Sequence, residues 1–208
     1  MGKLKQIQMC AVLADIEHAV RSPLFVLECA LDDLLDGASL NFEDIVDAKD
    51  SIVMIREVVE VFTAAKEAFV GGKVISEIKI LKDRLTTAFE STFQTERGSI
   101  SKGVNLDLLE LFVDSCRHWA SRGFGTLPTC VFDTIVGPEG NCCGLSVSFG
   151  PFCCEGRVAR AISIVGRTPS LEHMKVLVCY CFMSAYGLEP EFLADEEGKL
   201  VSVQIGFA

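Results

Sequence analysis

Asp15-Ile16-Glu17-His18-Ala19-Val20-Arg21-Ser22-Pro23-Leu24 sits midway along a run whose apolar residues return at helical spacing. Leu13, Val20, Leu27 and Leu34 recur every seven residues, and Ile16, Pro23 and Ala30 follow the first three by three places. This a/d pattern predicts a long helix with an apolar seam, packed in a bundle. On the same register His18 falls at f, opposite the seam. Asp15, Arg21 and Ser22 share its neighbourhood, because residues three and four apart are neighbours on a helix. Pro23 removes one N–H and frees the Ala19 carbonyl, so a kink is expected just past the histidine. The stretch therefore offers an imidazole on a solvated helix face, with a guanidinium and a hydroxyl one turn on.

Outward from it, the helix is expected from Leu4 to Asp36, with Gly37 at the C′ position. Ala38-Ser39-Leu40 then leads to Asn41, an N-cap followed by Glu43 and Asp44 in a first turn. A second helix reads to Val70 and ends at Gly71-Gly72. Ile45, Ile52 and Val59 form one apolar row, and Ala48, Ile55, Phe62 and Phe69 the other. Each helix spans roughly 30 residues, ~45 Å, and the short link makes them antiparallel neighbours. Two such seams do not bury each other completely. Either the rest of the chain covers them, or two hairpins pair as a C2 dimer into a four-helix bundle, which is the economical solution.

Beyond Gly71-Gly72 the texture changes, which divides the chain into domains 1–72 and 73–208. Val74–Gln94 and Val104–Ser121 read as helices, the first with Ile78, Leu81, Leu85 and Phe89 on one side. Strands are expected at Thr129–Val136, Cys142–Phe149 and Arg157–Val165. Ser170 caps a helix from Leu171 to Tyr186, closed by Gly187. Leu188–Ala194 and Leu200–Phe207 form a hairpin around Asp195-Glu196-Glu197-Gly198. The fold class is α+β, a helical hairpin followed by a two-layer α/β sandwich. Of the other histidines, His118 beside Trp119 reads as structural, and His173 at a helix start as solvated.

Half of the 208 residues are hydrophobic, enough for a sizeable core. No run approaches the ~20 apolar residues that span a bilayer, and no signal-peptide pattern opens the chain. A soluble cytoplasmic protein is expected. The net charge of −10 argues against nucleic acid, which is bound through cationic contacts to phosphates. Residues 1–72 hold six Lys/Arg against thirteen Asp/Glu, a balance of −7. A partner docking there is expected to meet them with basic residues. The ten cysteines read as buried apolar residues in a reducing compartment. Cys142-Cys143 and Cys153-Cys154 lack the usual zinc spacing, and adjacent strand residues point to opposite faces. No metal or cofactor site is expected.

His18, Val20, Arg21, Ser22, Pro23 and Leu24 resemble the phosphoacceptor box of two-component histidine kinases. There a histidine is followed by an acidic and an aliphatic residue, Arg, Thr/Ser/Asn, Pro and Leu. Ala19 departs from it, standing where the kinases carry the carboxylate that assists autophosphorylation. The element order also resembles the kinase arrangement of dimerisation domain and ATP-binding domain, but the nucleotide boxes are missing. Asp114-Ser115-Cys116 stands where the metal-binding asparagine is expected, and Asn105 lies at the helix start. The stretch Gly150-Pro151-Phe152-Cys153-Cys154-Glu155-Gly156 lacks the Asp-x-Gly-x-Gly pattern, and Gly150, Gly156 and Gly166 read as ordinary turns. A kept histidine box joined to a degenerate ATP-binding domain is similar to histidine phosphotransferases of the ChpT type. Met174–Tyr180 and the last hairpin also resemble that type.

The resemblance implies a phosphorelay step through His18, between aspartates of response-regulator receiver domains. A hybrid histidine kinase is a further partner. An imidazole suits this chemistry, since an ordinary pKa of about 6.5 leaves a neutral nucleophilic nitrogen near neutrality. Phosphoryl transfer needs mainly in-line positioning and charge neutralisation. The receiver brings the Mg²⁺. Arg21 would offset negative charge or pair with Glu17. Ser22 would bond the phosphoryl oxygens or the partner. Phe25, seven residues past His18, would be a docking contact or would pack under the second domain. The rival reading is a catalytically inactive kinase-like module that binds and sequesters a response regulator.

Overall fold

The computed structural model describes residues 3–94, 98–100, 103–150, 160–164 and 170–207, with side chains from residue 10 onward. Helix α1 covers Lys3–Leu35 and runs unbroken through Pro23. It closes as a Schellman turn: Gly37, at φ +76°, donates to Leu34 O, and Ala38 N–H donates to Asp33 O at 2.9 Å. Helix α2, Phe42–Gly71, opens on a capping box. The Asn41 side chain accepts from Asp44 N–H at 2.9 Å, and the Asp44 carboxylate accepts from Asn41 N–H at 3.1 Å. Both ends of the link are thus fixed by local hydrogen bonds, which turns the two helices into a hairpin.

The chain continues as β1 (Val74–Ile75), α3 (Ile78–Phe89), β2 (Thr92–Phe93), β3 (Val104–Asn105), α4 (Leu106–Phe124), β4 (Cys130–Val136) and β5 (Cys142–Phe149). Then come β6 (Arg160–Ile162), α5 (Leu171–Tyr186), β7 (Leu188–Ala194) and β8 (Leu200–Phe207). Six strands form one mixed sheet in the order β2-β4-β5-β8-β7-β6. The β2–β4 pair is parallel and the other neighbours are antiparallel. Helices α4 and α5 pack on each other and against this sheet.

The helix expected over Val74–Gln94 is shorter than its pattern, covering Ile78–Phe89, and the one expected over Val104–Ser121 is shifted to Leu106–Phe124. Val74-Ile75 and Val104-Asn105 instead pair as a two-stranded antiparallel ladder, and Thr92-Phe93 adds to the main sheet. The helix expected from Val104 starts at Leu106 because Asn105 caps it. The Asn105 side chain, 1% exposed, accepts from Leu108 N–H at 3.1 Å and donates to Ala68 O at 2.7 Å. One buried amide therefore ties the end of α2 to the start of α4. Gly72 permits it, since a Cβ there would lie 2.4 Å from Asn105 Oδ1. The strand expected at 157–165 appears at Arg160–Ile162; positions 157–159 and 165 lie outside the described residues, as do Cys153, Cys154 and Gly166.

The hairpin lies over α5 as a further helical layer. From His173 to Met183, α5 is buried on nearly every side. A helix that is apolar all round has to be covered all round. The sheet covers one side, and the hairpin much of the other. Phe182 meets Phe62 and Phe69 at ring-centre distances of 5.4 and 5.7 Å, and Tyr186 meets Phe69 at 6.2 Å. Lys175 pairs with Glu57 across the same contact. Val12, Ala19, Val58 and Ala65 join the sandwich's apolar cluster. The rest of the chain thus covers one face of the base of the hairpin. Toward the link the seam stays open, with Leu31, Leu34, Ile45 and Ile52 each more than half exposed.

Candidate functional site

Packing of α1 decides which side chains face outward. Its buried stripe is Val12, Ala19 and Pro23, with Ile16, Val26 and Ala30 half-buried. This stripe is turned by about one residue from the expected seam. Ile16, Pro23 and Ala30 belong to it, whereas Leu13 and Leu34 are bare. The reason is that the hairpin has two apolar faces, one against α5 and one open. Burial of Ala19 holds the neighbouring His18 outward, and its side chain is exposed.

Around His18 the helix brings Ser22 and Phe25 onto one exposed face, at spacings of four and three. The Ser22 hydroxyl donates to His18 O at 3.4 Å, a long bond to the carbonyl one turn back. The Arg21 guanidinium donates to Glu17 at 2.7 Å, and both side chains are exposed. That pair adds little stability and leaves Arg21 beside the histidine's turn. Asp15 is half-buried. Phe25 is 63% exposed, so it does not pack under the sandwich. It lines a groove of about 170 Å³ with Val26, Cys29 and Asp33 from α1 and Asp44 and Asp47 from α2. Helical spacing from Phe25 reaches Cys29; Asp44 and Asp47 join only through the packing of the hairpin.

The other two histidines exchange the roles expected of them. His118 is half exposed, with Nε2 3.7 Å from Asp114 one turn back. His173 is 2% exposed, its ring stacked on Trp119 at 4.9 Å and its Nε2 2.9 Å from Ile164 O. Its burial follows from the all-round covering of α5.

Of the α4 positions compared with a nucleotide box, Ser115 and Cys116 are buried and Asp114 is half exposed. The Ser115 hydroxyl donates to Leu111 O at 2.8 Å, and Cys116 is fully buried, its thiol pushed well up by desolvation. Burial likewise raises the Cys179 thiol to about 12. Cys142 is buried and Cys143 half-buried, each thiol directed at a different backbone carbonyl, Gly144 O and Ile135 O. Among the described residues, no helix is long and apolar enough to cross a membrane.

No protein-family profile and no curated protein matches this chain. Among solved structures, it is similar to the Acinetobacter baumannii histidine kinase AdeS, at 11% identity and a TM-score of 0.43, over 90% of this chain and 95% of that one. It is also similar to a bacterial phosphotransferase, at 11% identity and a TM-score of 0.37, over 99% and 97% of the two chains.

Proposed function

We propose that the chain is a phosphorelay histidine phosphotransferase in which His18 carries the phosphoryl group between receiver-domain aspartates. The observation that carries the reading is an outward imidazole on a helix whose opposite side is packed. In the first step an imidazole nitrogen attacks the phosphorus of an aspartyl phosphate. The N–P bond forms as the P–O bond to the aspartate breaks, and the carboxylate leaves. The second step reverses this on another receiver. Charge on the transferred group is met by Mg²⁺ held by the receiver, so this chain supplies position and nucleophile. Ser22 is placed to bond a phosphoryl oxygen or the partner, Arg21 to offset charge, and Phe25 to dock the receiver.

Ala19 departs from the phosphotransferase type too, where an aspartate is common, as it does from the kinases. An acyl phosphate is already activated, and its attack does not call for the neighbouring carboxylate that kinases use with ATP. In this reading residues 1–72 are the dimerisation and phosphotransfer unit, and residues 73–208 a degenerate ATP-binding relative. The open seam supports a homodimer. Leu13, Leu31, Leu34, Ile45, Ile52, Val59 and Phe62 are each about half exposed. Together they present on the order of 700 Å², close to the ~800 Å² per partner of a standard interface. The test is incubation with phosphorylated receiver domains from the same genome, followed by mapping of acid-labile label. Binding of a receiver without any transfer would favour the sequestering module instead.

A further inference from the structure

An apolar groove of about 250 Å³ opens where α1, α2 and α5 meet. Leu13 and Ile16 form one wall, Val59 and Phe62 a second, and Cys181 and Phe182 the third. Among the described residues, no charged side chain lines it, although the chain carries a net charge of −10. Leu13, Val59 and Phe62 belong both to the groove and to the open seam of the hairpin. Cys181 and Phe182 are themselves only half covered. The groove is therefore the seam's continuation onto the sandwich layer.

From this continuity we infer that a second copy of the chain closes the groove, so that α5 is part of the homodimer interface. The inference rests on the dimer proposed above and adds to it a surface outside the hairpin. Three features select a second copy as the occupant. A small apolar ligand would fill the groove and leave the rest of the seam wet. A basic partner would find no carboxylate in the groove, whereas carboxylates line the separate groove beside Phe25. A second hairpin brings a seam of the same length and apolar character, and C2 pairing brings the same surface of both copies together, so a groove continuous with the seam is covered when the seams meet. Closure in this way makes dimerisation hold the hairpin down on α5.

The test uses the full native chain. Its dimer dissociation constant is measured by sedimentation, and N-ethylmaleimide labelling of Cys181 is followed by mass spectrometry below and above that concentration. Cys29, on the His18 side of α1, is the internal reference. Labelling of Cys181 relative to Cys29 is expected to slow several-fold on dimerisation and to keep the monomer's rate at every concentration in the Ile52→Glu variant. Cys181→Glu is expected to weaken the dimer by at least about tenfold, as burial of an unpaired charge requires. The same substitution in the Ile52→Glu background checks that the monomer still folds; if it does not, the labelling ratio decides alone. A dimer whose Cys181 labelling is independent of concentration overturns the inference and leaves the dimer standing. A chain that stays monomeric overturns both. Protection that persists in Ile52→Glu shows a different occupant and overturns the inference too.

Discussion

Ala19 stands one residue from His18, where a kinase would carry a carboxylate, and Ala19→Asp asks what that position can hold. The side chain is 9% exposed and lies in the apolar cluster that joins the hairpin to the sandwich. A short carboxyl there cannot reach water as a longer one could. Keeping it protonated at pH 7 costs about 1.36 kcal/mol for each of the roughly three units between 3.9 and 7, about 4 kcal/mol. Leaving it ionised and unpaired costs several kcal/mol as well. Protonation plus the ~1–3 kcal/mol of burying the neutral carboxyl comes to about 5–7 kcal/mol, a fall in Tm of about 10–28 °C for a chain of this size. Burial raises the folded-state pKa above the unfolded value, so the deficit is largest at high pH. It shrinks as pH falls through the raised pKa, toward the ~1–3 kcal/mol of burying a neutral carboxyl. Urea unfolding of parent and variant at pH 7.5 and 4.5 measures this. A deficit under about 0.5 kcal/mol, together with faster phosphoryl acceptance, would mean that position 19 is open to solvent and that the packing of α1 is wrongly assigned.

Ile52→Glu puts a charge on the open seam, at a side chain more than half exposed; sedimentation should show monomer, with an unchanged circular dichroism spectrum. A parent already monomeric at about tens of micromolar refutes the dimer. Asn105→Ala removes the cap of α4 and the bond to Ala68 O, and urea unfolding should show a loss of about 2–4 kcal/mol. A loss under about 0.5 kcal/mol would mean that this amide does not tie α2 to α4. Ser22→Ala should keep phosphoryl acceptance but slow it by about tenfold or somewhat more, in quenched-flow transfer, through loss of one hydrogen bond to a charged group.

Elements bounded by chemistry were legible in the sequence. Asn41 with Asp44, Gly37, Ser170 and Gly187 each mark a helix end through a hydrogen bond or a left-handed turn, and those ends lie within a residue of expectation. The two-residue strands were not legible. Val74-Ile75 and Val104-Asn105 are extended only because each finds the other, and a pair of residues has no period. The apolar rows of α1 and α2 were visible, but not which face meets α5, since both seams and their flanks are apolar. The burial of α5 was written in Val176-Leu177-Val178-Cys179-Tyr180, which leaves no polar face; reading it so would have placed His173 inside. His118 was the opposite case, since Asp114 one turn back marks a solvated pair. At the candidate site, helical spacing alone puts His18, Ser22 and Phe25 on one face. The inward turn of Ala19 and the carboxylates across from Phe25 needed the packed hairpin.

Transfer of label from a phosphorylated receiver domain to the parent chain and to His18→Gln, read side by side, bears most directly on the role of His18. Phosphotransfer through His18 requires acid-labile, alkali-stable label on the parent, none on His18→Gln, and an unchanged oligomeric state, because the exposed imidazole contributes little packing. Label that persists in His18→Gln and disappears with His118 or His173 would contradict it.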